Sequence, residues 1–345
     1  KLIQTLCEMI AKPSEAFILG GDWKVPVVEG LQPANFIQSQ EMDTSMEEGG
    51  FDREYGSVWA GNAQGAFFDS EKFDKYRQLN LPEYQYNNRA SSKAYYVMGV
   101  DIGRFDDNTE VVVIKVTPTN NNTWVKQVVN ILTLEAENAQ FQCIKLKKIF
   151  QKYKCDAAVV DGNGLGSGFV DNLVLDSVDP ESGEILGGWG VINDSEEKGK
   201  RYKDLYTENT VHNAMYIMKA NTALNSEMYN YFKFELNNGR MRFLIDESVA
   251  KNKLMAQAQG QKMSAAQRAE YLLPYVETSL LKAQIRNLIC ENEGANVILK
   301  QSSKKVKKDK FSALIYGLYW CKLKEDKRGK RKKRDFSKMT LFTKH

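Results

Sequence analysis

Three aspartates stand at abrupt changes of sequence character. Asp101 follows the apolar run YYVMGV (95–100), Asp161 follows DAAVV (156–160), and Asp309 precedes FSALIYGLYW (311–320). Both runs before the first two acids are apolar at successive positions, as central strands buried on both faces are. Acids at equivalent ends of parallel strands open into one crevice, so Asp101 and Asp161 are expected side by side despite their separation in sequence. Clustered carboxylates repel one another and are stabilised when a divalent cation lies between them. Hard oxygen donors select Mg²⁺ or Mn²⁺. Two such ions about 4 Å apart activate a water and stabilise a leaving oxygen in phosphodiester cleavage. Asp101, Asp161 and Asp309 are therefore the candidate metal-binding and catalytic set, with Asp106, Asp107 and Asp171 as accessory candidates. Each acid taken singly also suits a structural role: Asp101 and Asp161 as turn starters, Asp309 as a helix N-cap.

Other chemistries find little support. The only histidines are His212 and His345, too few for a nucleophilic triad. Five cysteines (Cys7, Cys143, Cys155, Cys290, Cys321) form no CxxC pair, which argues against zinc and disulfide frameworks and for a reducing compartment. The glycines of DGNGLGSG (162–168) permit close approach to phosphate or metal, but their spacing matches neither GxGxxG nor a Walker loop. A hydrophobic content of 42% with 27% charged residues indicates a globular chain, and no apolar run approaches the ~20 residues of a membrane span. The net charge of +4 is uneven: residues 322–345 carry eleven Lys/Arg against three acids, leaving residues 1–321 net acidic. Lys304, Lys305, Lys307, Lys308 and Lys310, around Asp309, are candidates for holding a DNA backbone. KRGKRKKR (327–334) suits phosphate, an acidic surface or a solvated tail.

The elements that must position these acids follow from periodicity. Strands are expected at 95–100, 110–116 and 124–134, the first two joined as a hairpin through DIGRFDDNT. A helix at 138–154, a strand at 156–160 and a helix from 168 to 175 follow. A three-stranded meander crossing over through a helix to a further buried strand opens a ribonuclease-H-like α/β fold, a mixed sheet flanked by helices. Beyond it, 178–192 reads as a turn-rich hairpin or loop, 203–220 as a helix, 240–245 as a short strand, 280–289 as helical, and 311–323 as a helix with apolar residues at i, i+3, i+4, i+7 and i+8. At 345 residues the chain is long for one core. Residues 1–76 read as the closing portion of a larger domain, 77–93 as a polar linker, 94–323 as the main domain and 324–345 as a basic tail. The start at Lys1 leads us to expect a processed or truncated chain.

At MGVDIGRFDDNT, VVDGNGLGSGFVDNL and DKFSALIYGLYW the sequence resembles the large terminase subunits of tailed bacteriophages, with Asp101, Asp161 and Asp309 in the positions of the family's three catalytic acids. FILGGDWKVPVVEGL and FDREYGSVWAGNAQGAFF resemble the end of that family's ATPase domain, so 1–76 is expected to be a remnant of a partial α/β motor domain. The family's third motif often carries paired acids or a histidine, whereas Asp309 lies between Lys308 and Lys310. The resemblance implies an endonuclease cutting concatemeric double-stranded viral DNA, with portal protein and small terminase subunit as partners, in the cytoplasm of the infected host. Two other readings stay open: an actin-like or sugar-kinase-type ATP-binding domain, which also uses motifs like Asp101-Ile-Gly103 and Asp161-Gly-Asn-Gly164, and a non-catalytic DNA-binding scaffold. Because the groups that cradle β- and γ-phosphates are missing from this sequence, the purified chain is expected to release no phosphate from ATP. Robust turnover in a clean preparation would favour the actin-like reading.

Overall fold

The computed structural model describes residues 66–87, 93–103, 107–119, 123–136, 138–162, 166–194, 202–293 and 296–336. The remnant expected before Ala66, Asp106, the centre of the glycine-rich loop, and the end of the tail lie outside them. Helix α1 (Ser70–Lys75) and strand β1 (Arg77–Leu79) come first, then β2 (Tyr95–Asp101), β3 (Thr109–Pro118) and β4 (Trp124–Leu134). Helix α2 (Ala139–Tyr153) leads to β5 (Ala157–Asp161), and α3 (Gly166–Val174) to a small hairpin of β6 (Ser177–Val178) and β7 (Ile185–Leu186). Strands β8 (Trp189–Val191) and β9 (Val211–Met218), helix α4 (Thr222–Asn237) and strand β10 (Met241–Leu244) follow. The chain continues through α5 (Glu247–Met255), α6 (Ala258–Lys262) and α7 (Ala265–Arg286) to a second hairpin of β11 (Leu288–Glu293) and β12 (Asn296–Gln301). It closes on the long helix α8 (Asp309–Phe336).

One eight-stranded mixed sheet in the order β1-β10-β4-β3-β2-β5-β9-β8 organises these elements. Strands β2, β3 and β4 form the antiparallel meander; β5 joins β2 in parallel after the α2 crossover, and β9 joins β5 in parallel. This is the ribonuclease-H-like plan that the sequence predicts, flanked by helices on both faces. Among the described residues the meander does not recur after Asp161, as a two-domain actin-like plan would require. No helix among them is long and apolar enough to cross a membrane.

Strand alternation divides the core into two layers. Val97, Val112, Ile114, Val116, Ala157 and Val159 face a layer filled by α1, α4, α7 and α8. Tyr96, Met98, Val100, Val111, Val113, Ala158 and Val160 face the layer of α2 and α3. By the same alternation Asp101, Glu110 and Asp161 belong to the α8 face, because they extend the rows of Gly99, Val112 and Val159. Helix α8 reaches that face where two glycines meet. A Cβ on Gly99 would lie 1.9 Å from the Ala313 carbonyl oxygen, and Gly317 has the Gly99 backbone 3.3–3.5 Å from where its own Cβ would stand.

Several expectations need correction. The segment 203–220 is not a helix: a short 3₁₀ turn at Lys203–Leu205 leads into β9, which pairs Ala158↔Met215 and Val160↔Ile217 on one side and docks β8 on the other. Two strand neighbours outweigh the weak helical pattern of that stretch. The helix expected at 280–289 is the end of α7, which starts at a Ser264/Gln267 capping box; Leu288 and Ile289 already belong to β11. The sheet also begins earlier than Tyr95. Strand β1 joins it through β10, and Phe67, Phe68 and Phe73, earlier in the chain, pack in the α8 layer. Helix α8 runs past Leu323 to Phe336, with Lys324 bonded to Asp156 at 2.7 Å and Arg328 3.9 Å over the Trp124 ring.

The glycine contact yields the first structural test. Gly99→Ala forces α8 off the sheet and is expected to cost about 1–3 kcal/mol, the range of an overpacked core. Gly168→Ala, with nothing within 4 Å of the new methyl, is expected to be neutral or stabilising by up to about 1 kcal/mol. Urea midpoints of the two variants check the contrast, and equal midpoints would remove the argument for a tight crossing.

Candidate active site

Register places the first two acids. The pairs Gly99↔Val159 and Val100↔Val160 set Asp101 and Asp161 on the next rung, each at the C-terminal end of its strand. Between β2 and β3 the chain turns through Gly103, whose backbone N–H donates to Thr109 Oγ1 at 3.0 Å; a Cβ there would lie 2.1 Å from the Asp107 carbonyl. At Gly162, just past Asp161, a Cβ would meet the Ile217 side chain at 2.3 Å, so the strand end stays low beside β9.

The third acid arrives from above. Asp309 is the first residue of α8, and the Ser312 N–H donates to the Lys308 carbonyl at 2.9 Å, which sets Asp309 one position inside the helix rather than at its N-cap. The Phe311 N–H in the same turn donates to the buried Gln284 Oε1 of α7 at 3.1 Å. A carboxylate in the first turn is favoured by the helix dipole.

Asp101, Asp161 and Asp309 line one cleft of about 200 Å³ together with Ile102, Gly103, Asp107 and Asn108. Loss of solvation, then the charges of Asp309 and Asp161, hold the Asp101 carboxyl well above the usual carboxylate range, with Lys308 opposing. Asp309 is raised too, chiefly by burial, with Lys307 the largest opposing charge. Among the described residues no three His, Cys, Asp or Glu side chains close on one point as a finished metal cage. The donors are all hard oxygens, and their mutual repulsion is what a divalent cation would relieve.

The other candidates divide. Asp107 lines the cleft and is paired with the exposed Lys307. Asp171, on α3, is not among the lining residues. Lys304, Lys305, Lys307 and Lys308 are exposed on the approach to α8. Lys310 is not, and its assignment to a DNA surface is corrected. Its side chain is 4% exposed, and its ammonium lies 2.7 Å from Glu110 and 2.8 Å from Glu277. His212 is exposed on β9.

Sequence reasoning missed Tyr316. Its buried phenol is pushed up by loss of solvation and then by the charges of Asp101 and Asp161. Its signal was helical spacing: Ala313, Tyr316 and Gly317 lie four, seven and eight residues after Asp309, on one face of α8.

Raised carboxyls have a measurable consequence. Ionising Asp101 opposes folding: the penalty is absent below the ordinary carboxylate range, grows as pH rises from there towards the elevated folded value, and persists above it. Asp101→Asn is therefore expected to raise the melting temperature of the metal-free protein at pH 7–8, with the gain vanishing near pH 4. Thermal unfolding in EDTA across that range decides it, and a loss of stability at pH 7 would contradict the electrostatic account.

No family model and no curated protein matches the chain. Solved structures do. The large terminase nuclease of thermophilic phage G20c is similar with a TM-score of 0.38 and 11% identity, covering 71% of this chain and 96% of that one. The nuclease domain of the Thermus phage P74-26 large terminase gives 0.36 and 10%, covering 71% and 93%. The whole HK97 large terminase gives 0.39 and 10%, covering 73% of this chain and 42% of that one.

Proposed function

We propose that the chain is a divalent-metal-dependent endonuclease acting on double-stranded DNA, the nuclease part of a large terminase that cuts concatemeric viral DNA during genome packaging. One observation carries the reading: Asp101, Asp161 and Asp309, from two adjacent strand ends and the first turn of a helix, share a single cleft. Mg²⁺ or Mn²⁺ held there, two ions in this reading, would supply an activated water and a counter-charge for the leaving oxygen. The chain's own groups do the rest. The three carboxylates would hold the cations, with Asp107, which lines the same cleft, as an accessory oxygen donor. Lys304, Lys305, Lys307 and Lys308 offer ammonium groups to phosphates beside the cleft, which favours backbone contact over base reading and hence weak sequence preference. Residues 1–76 as a motor-domain remnant, portal and small-subunit partners, and action in the host cytoplasm follow from the motif resemblance and form part of the same proposal.

In millimolar Mn²⁺ the purified chain is expected to nick and then linearise supercoiled plasmid. Asp→Asn at position 101, 161 or 309 should each lower the rate at least about 100-fold, and double variants should be little worse, since residues acting as a unit are strongly non-additive. Gel assays over a range of salt read this directly. No cutting by the wild type would remove the nuclease reading; near-normal cutting by one variant would remove that residue and bring Asp107 forward.

A further inference from the structure

The buried cluster behind Asp309 has no part in the chemistry above. The Lys310 ammonium reaches Glu110 Oε2 at 2.7 Å and Glu277 Oε2 at 2.8 Å, and donates to Thr133 Oγ1 at 2.8 Å, while Thr133 Oγ1 donates to Glu110 Oε2 at 2.8 Å. All three charged side chains are less than 10% exposed. An ammonium has three N–H donors, and this one has three oxygen partners, drawn from β3, β4 and α7. Lys310 immediately follows Asp309, so whatever fixes one backbone position fixes the other to within a fraction of a helical turn.

Glu110 gives the cluster a second consequence. It is the direct cross-strand partner of Asp101 and faces the same side of the sheet, so Glu110, Asp101 and Asp161 form a row of three acids across β3, β2 and β5. Two of the three line the cleft; Glu110 does not. Its carboxylate is turned to Lys310, which withdraws one acid from the row.

We propose that Lys310 is a positioning residue for the metal site. It pins the first turn of α8, and with it Asp309, to β3, β4 and α7, and it holds Glu110 away from the cations. This role rests on the nuclease reading, but it is read from metal affinity and backbone protection as well as from cutting.

Lys310→Met alone strands two buried carboxylates and risks unfolding. The decisive variant is the triple K310M/E110Q/E277Q in the full chain, which leaves no charge buried in the cluster. Three measurements apply: Mn²⁺ binding by calorimetry without DNA, the Mn²⁺ concentration for half-maximal plasmid nicking, and hydrogen exchange at the Phe311 and Ser312 amides. The expected result is a folded protein that binds Mn²⁺ at least tenfold more weakly, needs correspondingly more Mn²⁺ to nick, and exchanges those two amides faster. A folded triple variant with wild-type Mn²⁺ affinity and wild-type exchange overturns the role. Should the triple variant not fold, E277Q decides, since it keeps the Lys310–Glu110 pair; a threefold or greater loss of Mn²⁺ affinity supports the role, and unchanged affinity overturns it. A wild type that neither binds Mn²⁺ nor cuts overturns the nuclease reading and this role together, whereas a competent wild type with unaffected variants overturns the role alone.

Discussion

The whole site hangs on how closely α8 approaches β2. Asp309 is on a helix far along the chain and Asp101 on the first strand of the meander, and nothing local relates them. Their relation is set where Gly99 and Gly317 remove two side chains from the crossing, so that the helix backbone rests on the strand backbone. Two residues up the strand from Gly99 is Asp101; two turns back along the helix from Gly317 is Asp309. A larger residue at either glycine would lift the helix and widen the cleft. The apolar layer around the crossing, with Phe311, Leu314, Ile315 and Leu318 buried against Val97, Val112 and Val159, then makes the short approach favourable, at about 1.5–3 kcal/mol for each large side chain buried.

Two buried lysines hold α8 at different heights, and they differ in kind. Near the site, Lys310 belongs to the helix and its acids to the scaffold. Lower down the roles reverse: Lys126 of β4 is fully buried, 2.6 Å from Glu235 of α4 and 2.5 Å from Glu325 of α8. Buried ion pairs add little net stability over apolar residues of similar size, but losing one partner is expensive, on the order of 3–5 kcal/mol. Such pairs therefore discriminate between helix placements more than they strengthen any one of them. A slide of α8 by one turn, about 5.4 Å, breaks both clusters at once. That discrimination matters for a site where desolvation and two neighbouring carboxylates oppose ionisation of Asp101.

How much of this was legible in the sequence depends on the range of the determining forces. The meander, α2 and β5 were readable because β-branched runs such as VVVIKV and the helical spacing of 139–153 are local signals that burial reinforces. The stretch 211–218 was misread because its strand state comes from two partners remote in sequence. Helix α4 went unnoticed although Asn221, which caps it by accepting from the Leu224 N–H, and the series Leu224, Met228, Phe232, Leu236 announce it. The three acids were found because each sits at a visible transition. Their convergence was inferable for Asp101 and Asp161 from parallel pairing, and for Asp309 only through resemblance, since no periodicity tells which strand a distant helix will cross.

The lysine run before α8 shows the same limit more sharply. In KKVKKDK every lysine carries the same charge, and charge patterning treats them alike. Four are exposed in the loop, yet Lys310 is buried. The difference is positional: Lys310 is the second residue of a helix whose next residue, Phe311, is buried against Phe68 and Phe232. At roughly 100° per residue, a helix that buries Phe311 and Leu314 turns Lys310 inward as well, towards β3, β4 and α7. There the aliphatic stem packs and the ammonium must find acids or not ionise. Glu110 of β3 and Glu277 of α7 satisfy that demand. A charge run that crosses a helix boundary should thus be read residue by residue against the phase of the helix it enters, since the loop part solvates and the helical part follows the apolar stripe.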